Sequence, residues 1–199
     1  MSGEHHWALN VAGGIKKEKK VLTVFGGPHP TFFPEIMNHP SVDVTCCGEG
    51  EFAMLDLANA YDKGADYSNI PNLSVKRDGH IKRNEVRPLI TDLDELPFPD
   101  REVYYRRYKL IRESPLKPFM ASRGCPFSCS FCFNEKLRAI YSNKGEYVRF
   151  YTPGYLIKQI KDVEFRYGLK TAYFMDDLFV SDQGWVREFT DMYKKEVRK

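Results

Sequence analysis

The chain has 199 residues, 42% hydrophobic and 29% charged, with a net charge of +3. This size and composition are ordinary for a soluble α/β protein with one or two small cores. A charge this small, spread over interleaved acidic and basic residues, argues against a nucleic-acid partner, and no apolar run approaches the roughly 18 residues that span a bilayer.

The first half alternates helices and strands. The predicted elements are a helix at 7–17, strands at 21–25 and 42–47, a short helical piece at 34–37, and a helix carrying Phe52, Leu55, Ala58 and Tyr61. Each strand ends in a glycine turn, one containing Gly26 and Gly27 and the other Gly48 and Gly50. Strand, glycine turn and helix, occurring twice, predict an open, Rossmann-like parallel sheet, in which ligands bind beyond the carboxyl ends of the strands.

A hairpin and a connector follow. Strands are predicted at 73–77 and 80–83, because the Asp-Gly pair between them is a strong two-residue turn signal. The closely spaced prolines of the acidic stretch 92–100 disfavour helix and strand, so the stretch is predicted to be an extended connector. The aromatic and basic run 104–108 has the composition of an RNA-stacking surface, but a packed connector surface is the favoured interpretation. We expect three regions, at 1–70, 71–116 and 117–199.

The last region repeats strand and helix again. A strand at 117–122 leads into a cysteine-rich loop, and a helix at 153–167 has Thr152 as N-cap and Gly168 as its stop. Its predicted apolar face comprises Leu156, Ile157, Ile160 and Val163. A strand at 171–175 ends in two aspartates, and a further helix begins near Ser181. Cysteines and aspartates just past strand carboxyl ends are typical of barrel enzymes.

Cys125, Cys129 and Cys132 are spaced CxxxCxxC. Three thiolates on one loop can hold three irons of a cubane cluster and leave the fourth iron open, whereas clusters with four cysteines usually transfer electrons. A structural zinc site would need a fourth ligand, and no other Cys or His is near in sequence. The alternative of a redox dithiol formed by Cys129 and Cys132 would leave Cys125 without a role.

The other two cysteines, Cys46 and Cys47, are adjacent at a predicted strand end and are interpreted as packed core. An odd count of five, without a disulfide framework, indicates a reducing cytoplasm.

The run 123–133, Arg-Gly-Cys-Pro-Phe-Ser-Cys-Ser-Phe-Cys-Phe, resembles the radical S-adenosylmethionine (SAM) enzymes, with an aromatic, Phe131, before the last cysteine. The Arg-Gly-Cys-Pro start and the later aspartate pair are similar to the branch in which a cobalamin-binding domain precedes the barrel. The turns at 25–31 and 48–51 resemble the later portion of that domain. The resemblance implies a partial, open-sheet cobalamin-binding domain followed by the first βα units of a TIM-like radical SAM barrel.

The resemblance also implies roles. The three cysteines would ligate a 4Fe–4S cluster whose open iron binds SAM, and one electron would split SAM into methionine and a 5′-deoxyadenosyl radical. Phe131 would lie near the adenine. Asp176 or Asp177 would contact the SAM amino group or a nearby polar group, and a structural cap or solvated turn is an equal alternative for the pair.

Cobalamin would bind at the glycine turns. Gly26, Gly27, Gly48 and Gly50 would line its nucleotide tail, because glycine lets the main chain approach a ligand, and plain tight turning is the alternative. His29 is not expected to ligate cobalt, because the family's DxHxxG pattern is absent.

The implied activity is cobalamin-dependent methyl transfer to an unactivated carbon of a small molecule, with ring rearrangement and oxidative cyclisation also found in the branch. A flavodoxin- or ferredoxin-like protein would donate electrons. The alternatives are a radical SAM methylthiotransferase, whose N-terminal domain differs, and a non-catalytic iron–sulfur or zinc module. The chain looks cut at both ends relative to the family, so we expect it alone to aggregate or to turn over no SAM.

Overall fold

The computed structural model describes residues 2–197 and divides into two compact units, one up to Leu89 and one from Ile90 onward. Both units mix helices with short strands, which confirms the predicted α/β class. No helix in the described part of the chain is both long enough and apolar enough to cross a bilayer.

The first unit is a four-stranded sheet with helices. After a 3-10 turn at Ser2–Glu4, its elements are α1 (His5–Glu18), β1 (Val24–Phe25), α2 (Pro28–Phe32), a 3-10 turn (Pro34–Asn38), β2 (Val44–Cys46), α3 (Glu51–Asp62), β3 (Leu73–Arg77) and β4 (His80–Arg83). The strand order is β1-β2-β3-β4; β1 and β2 are parallel and the other neighbours antiparallel.

The hairpin β3–β4 has the predicted turn, with φ of 52° at Asp78 and 78° at Gly79. Positive φ at both central residues is the geometry that favours Asp-Gly. The hairpin pairs with β2, so it continues the first sheet, although the sequence grouped it with the connector. Strands β1 and β2 are shorter than the predicted 21–25 and 42–47, at two and three residues, whereas β3 and β4 have the predicted limits.

The second unit contains α4 (Glu102–Tyr105), α5 (Lys109–Glu113), β5 (Leu116–Phe119), β6 (Ser122–Arg123), α6 (Phe133–Ile140), β7 (Arg149–Phe150), α7 (Pro153–Tyr167), β8 (Thr171–Phe174) and α8 (Gln183–Glu196). Strands β5 and β8 are parallel, and β6 and β7 form a short antiparallel pair. The single strand expected at 117–122 is thus interrupted between β5 and β6. Helix α6 and strand β7 had no counterpart among the predicted elements.

The core of the second unit lies between the strands and the two long helices. Helix α7 has the predicted limits: the Thr152 hydroxyl accepts from the Tyr155 amide, and Gly168 ends the helix at a φ of 73°. All four residues of its predicted face are buried, and they pack with Phe119, Ala121, Trp185 and Phe189. Helix α8 begins two residues later than expected because Asp182, whose carboxylate accepts from the Trp185 amide, is its N-cap.

The proline-rich stretch has one 3-10 turn, at Leu93–Glu95, and is part of the second unit. Leu93 and Leu96 are buried, and the Asp94 carboxylate accepts from the main-chain amide and hydroxyl of Thr152. The Tyr155 hydroxyl donates to the carbonyl of Leu96. The stretch is therefore fastened to the start of α7. In the run 104–108, Tyr105 is buried, whereas Tyr104 and Tyr108 are exposed.

Candidate iron–sulfur and cofactor site

The three clustered cysteines lie on the irregular loop between β6 and α6. Cys125 and Cys132 are partly exposed and Cys129 is exposed, and none of the three is in a disulfide. The Cys132 amide donates to the Cys129 carbonyl at 3.0 Å, which closes a turn immediately before α6 begins. The loop therefore presents its thiols at the surface of the second unit, at the start of a helix.

The base of the loop depends on a glycine. Gly124 has a φ of 83°, and a Cβ added there would lie 2.2 Å from the Tyr147 carbonyl oxygen. A side chain at this position would combine an unfavourable backbone conformation with a clash against main chain, which cannot rotate away. The close approach of Gly124 to Tyr147 requires glycine directly before the first cysteine.

Arg138 of α6 fastens the rest of the loop. Its guanidinium donates to the carbonyls of Cys125 and Phe127 and to the Ser128 hydroxyl. It also lies over the Tyr147 ring, 5.3 Å from the centroid. One cation thus holds three loop residues, so the cysteines are carried on a tethered backbone.

A buried amide connects the last cysteine to the end of β8. Asn134 is 4% exposed; its Nδ2 donates to the Asp177 carboxylate at 2.9 Å and lies 3.5 Å from the Cys132 sulfur. Its Oδ1 accepts from the Tyr147 hydroxyl at 2.7 Å. Burial and then the charge of Asp177 raise the pKa of Tyr147 to about 12, so this hydroxyl keeps its proton near neutral pH and can donate it.

The two aspartates have different surroundings. The Asp176 carboxylate accepts from the amides of Ala121 and Ser122 and from the Ser122 hydroxyl, which ties the end of β8 to the link between β5 and β6. Asp177 is exposed and accepts from Asn134. Of the predicted pair, Asp176 therefore has the contacts of a structural cap, and Asp177 remains accessible.

Aromatic side chains project beside the thiols. Phe131 is 92% exposed and Phe127 is 59% exposed. Exposed aromatic rings offer flat surfaces on which a planar ligand can stack. The position of Phe131 is compatible with the adenine contact that the sequence predicts.

The donors present fit a cluster better than a single metal ion. Within residues 2–197, no three His, Cys, Asp or Glu side chains converge on one metal position. All five histidines lie before residue 90, so no histidine is close to the cysteines in sequence as a fourth ligand of the zinc type. A cubane is different because each thiolate binds a different iron. Three thiols distributed around one loop could each bind one iron of such a cluster.

The glycine turns of the first unit meet at the carboxyl ends of β1 and β2. The Thr31 hydroxyl donates to the Gly27 carbonyl at 2.8 Å and accepts from the Gly48 amide at 3.2 Å. Gly27 and Gly48 have φ values of 89° and 72°. Cβ atoms added at Gly26 and Gly50 would lie 3.8 and 3.4 Å from Cys46. The structure thus brings the two turns together around one hydroxyl.

A second buried amide supports the later turn. Asn72, which is 2% exposed, donates from Nδ2 to the carbonyls of Cys47 and Glu49 and accepts at Oδ1 from the Arg87 amide. Cys46 is buried, and burial is the main cause that raises its pKa to about 11. Burial also raises the pKa of Cys47, which is half-buried. Thiols held in the protonated form have little nucleophilic reactivity. Cys46 belongs to the buried core of the first unit, as predicted, whereas Cys47 is not among its buried residues.

A cavity of about 580 Å³ lies beside the first glycine turn, lined mainly by Trp7, Phe25, Gly26, His29 and Ile36. The His29 ring stacks on His5 at 4.2 Å and on Phe33 at 5.0 Å. Burial and then His5 lower the pKa of His29, so its neutral form is favoured. An apolar cavity with a few polar groups is the usual form of a small-molecule site.

Sequence reasoning missed the residues that hold these turns: Thr31, Asn72, Asn134, Arg138 and Tyr147. The available signals were weak. Asn134 lies two positions after the last cysteine, and Thr31 follows the first glycine turn closely, but neither position specifies a partner.

No protein-family model matches the chain. An uncharacterized methyltransferase of Pyrococcus horikoshii is 33% identical over 163 residues, which are 81% of this chain and 34% of that protein. An anaerobic magnesium-protoporphyrin IX monomethyl ester cyclase of Rubrivivax gelatinosus is 36% identical over 123 residues, 56% of this chain and 21% of the cyclase. TokK of Streptomyces tokunonensis, a cobalamin-dependent radical SAM methyltransferase, is 37% identical over 136 residues, 62% of this chain and 19% of TokK.

Two solved structures share the fold. OxsB, a cobalamin-dependent SAM radical enzyme with aqua-cobalamin and SAM bound, matches with a TM-score of 0.76 at 20% identity, over 99% of this chain and 28% of OxsB. TsrM of Kitasatospora setae, a radical SAM methyltransferase with cobalamin and a 4Fe–4S cluster bound, matches with a TM-score of 0.65 at 18% identity, over 97% of this chain and 37% of TsrM.

The chain spans about a third or less of the curated relatives. Their identities and the shared fold confirm the resemblance that the cysteine motif and glycine turns predict. The chain is homologous to the cobalamin-binding branch of the radical SAM enzymes.

Proposed function

We propose that this chain forms part of a cobalamin-dependent radical SAM methyltransferase that acts on a small molecule. Cys125, Cys129 and Cys132 would ligate a 4Fe–4S cluster, and the two glycine turns of the first unit would receive cobalamin. The observation that carries the proposal is the three-thiol loop, tethered by Gly124 and Arg138 and lacking a neighbouring histidine. The homologous and structurally similar methyltransferases support it.

In this function the chain binds, orients and shields its cofactors. A cluster in the loop would supply the electron that cleaves SAM, and cobalamin would supply the methyl-carrying cobalt. The exposed Phe131 ring would stack on the adenine, and the accessible Asp177 carboxylate would accept from the SAM amino group. The Asp176 carboxylate already accepts hydrogen bonds from Ala121 and Ser122, so Asp177 is the stronger candidate for the contact with the SAM amino group.

The cobalamin proposal depends on how the first unit uses its glycines. The Thr31 hydroxyl bonds to both Gly27 and Gly48 and so holds the two turns together. A ligand at this end of the sheet could therefore contact glycine main chain with no side chain in the way. The cavity beside Gly26 is lined mostly by apolar residues with a few polar ones, which is the usual form of a small-molecule site. We propose that Gly26, Gly27, Gly48 and Gly50 contact the nucleotide tail.

The substrate and the electron donor are proposed by class only: a small organic molecule, and a flavodoxin- or ferredoxin-like protein. A cytoplasmic location is proposed because reduced thiols and low-potential clusters need a reducing compartment.

Oxidative ring closure is a second candidate activity. The observation that favours it is the 36% identity to the protoporphyrin ester cyclase over 123 residues. Both activities would use the same cluster, so assays with candidate substrates in the whole protein are needed to separate them. A methylated product supports methyl transfer, whereas ring closure without a gained methyl group supports the cyclase.

The first test is metal content after anaerobic reconstitution with iron and sulfide. We expect close to four irons per chain and, after reduction, a paramagnetic signal that changes when SAM is added. Cys129→Ala should lose most of the iron, because a cubane with two protein thiolates is poorly retained.

Cys47→Ala is the matched control, since Cys47 is also a free cysteine but belongs to the other unit. It should keep wild-type iron content. One zinc and no iron in the wild-type chain would overturn the proposed function in favour of a structural zinc module.

A further inference from the structure

The amide of Asn134 is oriented by its neighbours. A carboxylate only accepts hydrogen bonds, so the atom 2.9 Å from the Asp177 oxygen must be the NH₂ group. The carbonyl oxygen then faces the Tyr147 hydroxyl, which can donate to it. This assignment satisfies both partners, and the reverse orientation would satisfy neither with the hydroxyl as donor.

With that orientation, the NH₂ group also faces a cysteine. Its nitrogen is 3.5 Å from the Cys132 sulfur, a normal distance for a hydrogen bond to sulfur. The two hydrogens of the amide match its two acceptors, Asp177 and Cys132. Because Asn134 is 4% exposed, water competes little for either bond.

A hydrogen bond to a cluster-ligating thiolate affects electron transfer. Reduction adds negative charge that spreads onto the sulfurs, and a donor directed at a sulfur stabilises the reduced state more than the oxidised one. Hydrogen bonds to sulfur are among the properties that set cluster potentials. Asn134 is the buried side chain that the structure places in this relation to Cys132.

We propose that Asn134 is a positioning residue that raises the reduction potential of the cluster by donating to the Cys132 thiolate. Asp177 and Tyr147 act through it, because they fix which end of the amide faces the sulfur. The inference rests on the proposed function, since it requires a cluster in the loop.

The test is a redox titration, followed by electron paramagnetic resonance, of the full chain reconstituted with iron and sulfide. Asn134→Leu has a similar volume but no donor. We expect its equilibrium constant for reduction to fall about tenfold, which is about 59 mV for a one-electron couple. Ser128→Ala, in the same loop, removes a hydroxyl whose described hydrogen bond comes from Arg138, and it should keep the wild-type potential.

A second variant covers the case in which Asn134→Leu fails to retain a cluster. Tyr147→Phe keeps Asn134 and all three thiols but removes the hydroxyl that orients the amide. We expect a smaller fall in potential in the same direction. Unchanged potential in Asn134→Leu, or in Tyr147→Phe if that variant alone holds a cluster, would overturn the inference and leave the proposed function intact. A wild-type chain that takes up no cluster would overturn both.

Discussion

Asn72 and Asn134 occupy equivalent roles in the two units. Each is a buried amide beside a turn that we propose to bind a cofactor, and each joins that turn to chain far away in sequence. Buried amides are costly unless their donors and acceptors find partners. Both amides have such partners, so each stabilises the conformation of its turn.

At the residue scale, Gly124→Ala should destabilise the cysteine loop. The left-handed backbone costs a non-glycine residue roughly 1–3 kcal/mol, and the clash with the Tyr147 carbonyl adds to that cost. We expect a lower free energy of unfolding in urea and reduced iron uptake on reconstitution.

Gly168→Ala is its matched control. Gly168 also has a positive φ, of 73°, but nothing lies within 4 Å of an added Cβ. It should show the conformational cost alone and retain iron. Equal losses of stability in the two variants, with full iron in both, would show that the contact with Tyr147 is unimportant.

At the element scale, helix α3 is the predicted helix, but the apolar residues that mark it in the sequence are not the ones it buries. Apolar residues recur every third position from Phe52 to Tyr61, but nine residues at about 100° each leave those two on opposite sides of the helix. The structure buries Ala53 and Leu57, four residues apart, and exposes Phe52, Leu55 and Tyr61. The two buried residues pack in one cluster with Val44, Cys46, Leu73 and Val75 of the sheet.

Helix α1 offers a paired test of packing within one element. Gly14 is exposed with nothing within 4 Å of an added Cβ, whereas a Cβ at Gly13 would lie 2.9 Å from the Ser41 hydroxyl. Gly14→Ala should raise the free energy of unfolding by roughly 0.5–1 kcal/mol, because alanine loses less entropy in a helix.

Gly13→Ala should gain less, or lose stability, because Ser41 must move. Urea unfolding of both variants measures the difference. A larger gain for Gly13→Ala than for Gly14→Ala would mean that α1 does not pack against Ser41 as described.

At the scale of the whole molecule, the two proposed cofactor sites lie in different units. A substitution that removes one cofactor should therefore leave the other bound. Thr31→Val removes the hydroxyl that joins the two glycine turns. We expect weaker cobalamin retention after desalting, measured by visible absorbance, with unchanged iron content. Cys129→Ala should show the reverse.

If either variant lost both cobalamin and iron, this prediction would be wrong. Wild-type chain that retains no cobalamin would count against the first unit's proposed role, and would leave the iron measurement on the second unit unaffected.

Local chemistry made several features predictable from sequence alone. The Asp78-Gly79 hairpin, the Thr152 cap, the Gly168 stop and the face of α7 all depend on residues a few positions apart, and all are confirmed. The cysteine spacing has the same origin, since the ligands of one loop must be close in sequence. It was enough to indicate the family.

Tertiary structure decided what surrounds those thiols. Asn134 meets Asp177, Gly124 meets Tyr147, and Asp176 caps the link after β5, across separations of 43, 23 and 55 residues. Such partners are set by how strands and helices pack. The residue type at one position does not indicate which distant residue it will contact. The spacing of cysteines therefore determined the chemistry expected of the loop, whereas packing alone decided which aspartate stays accessible and which amide faces the sulfur.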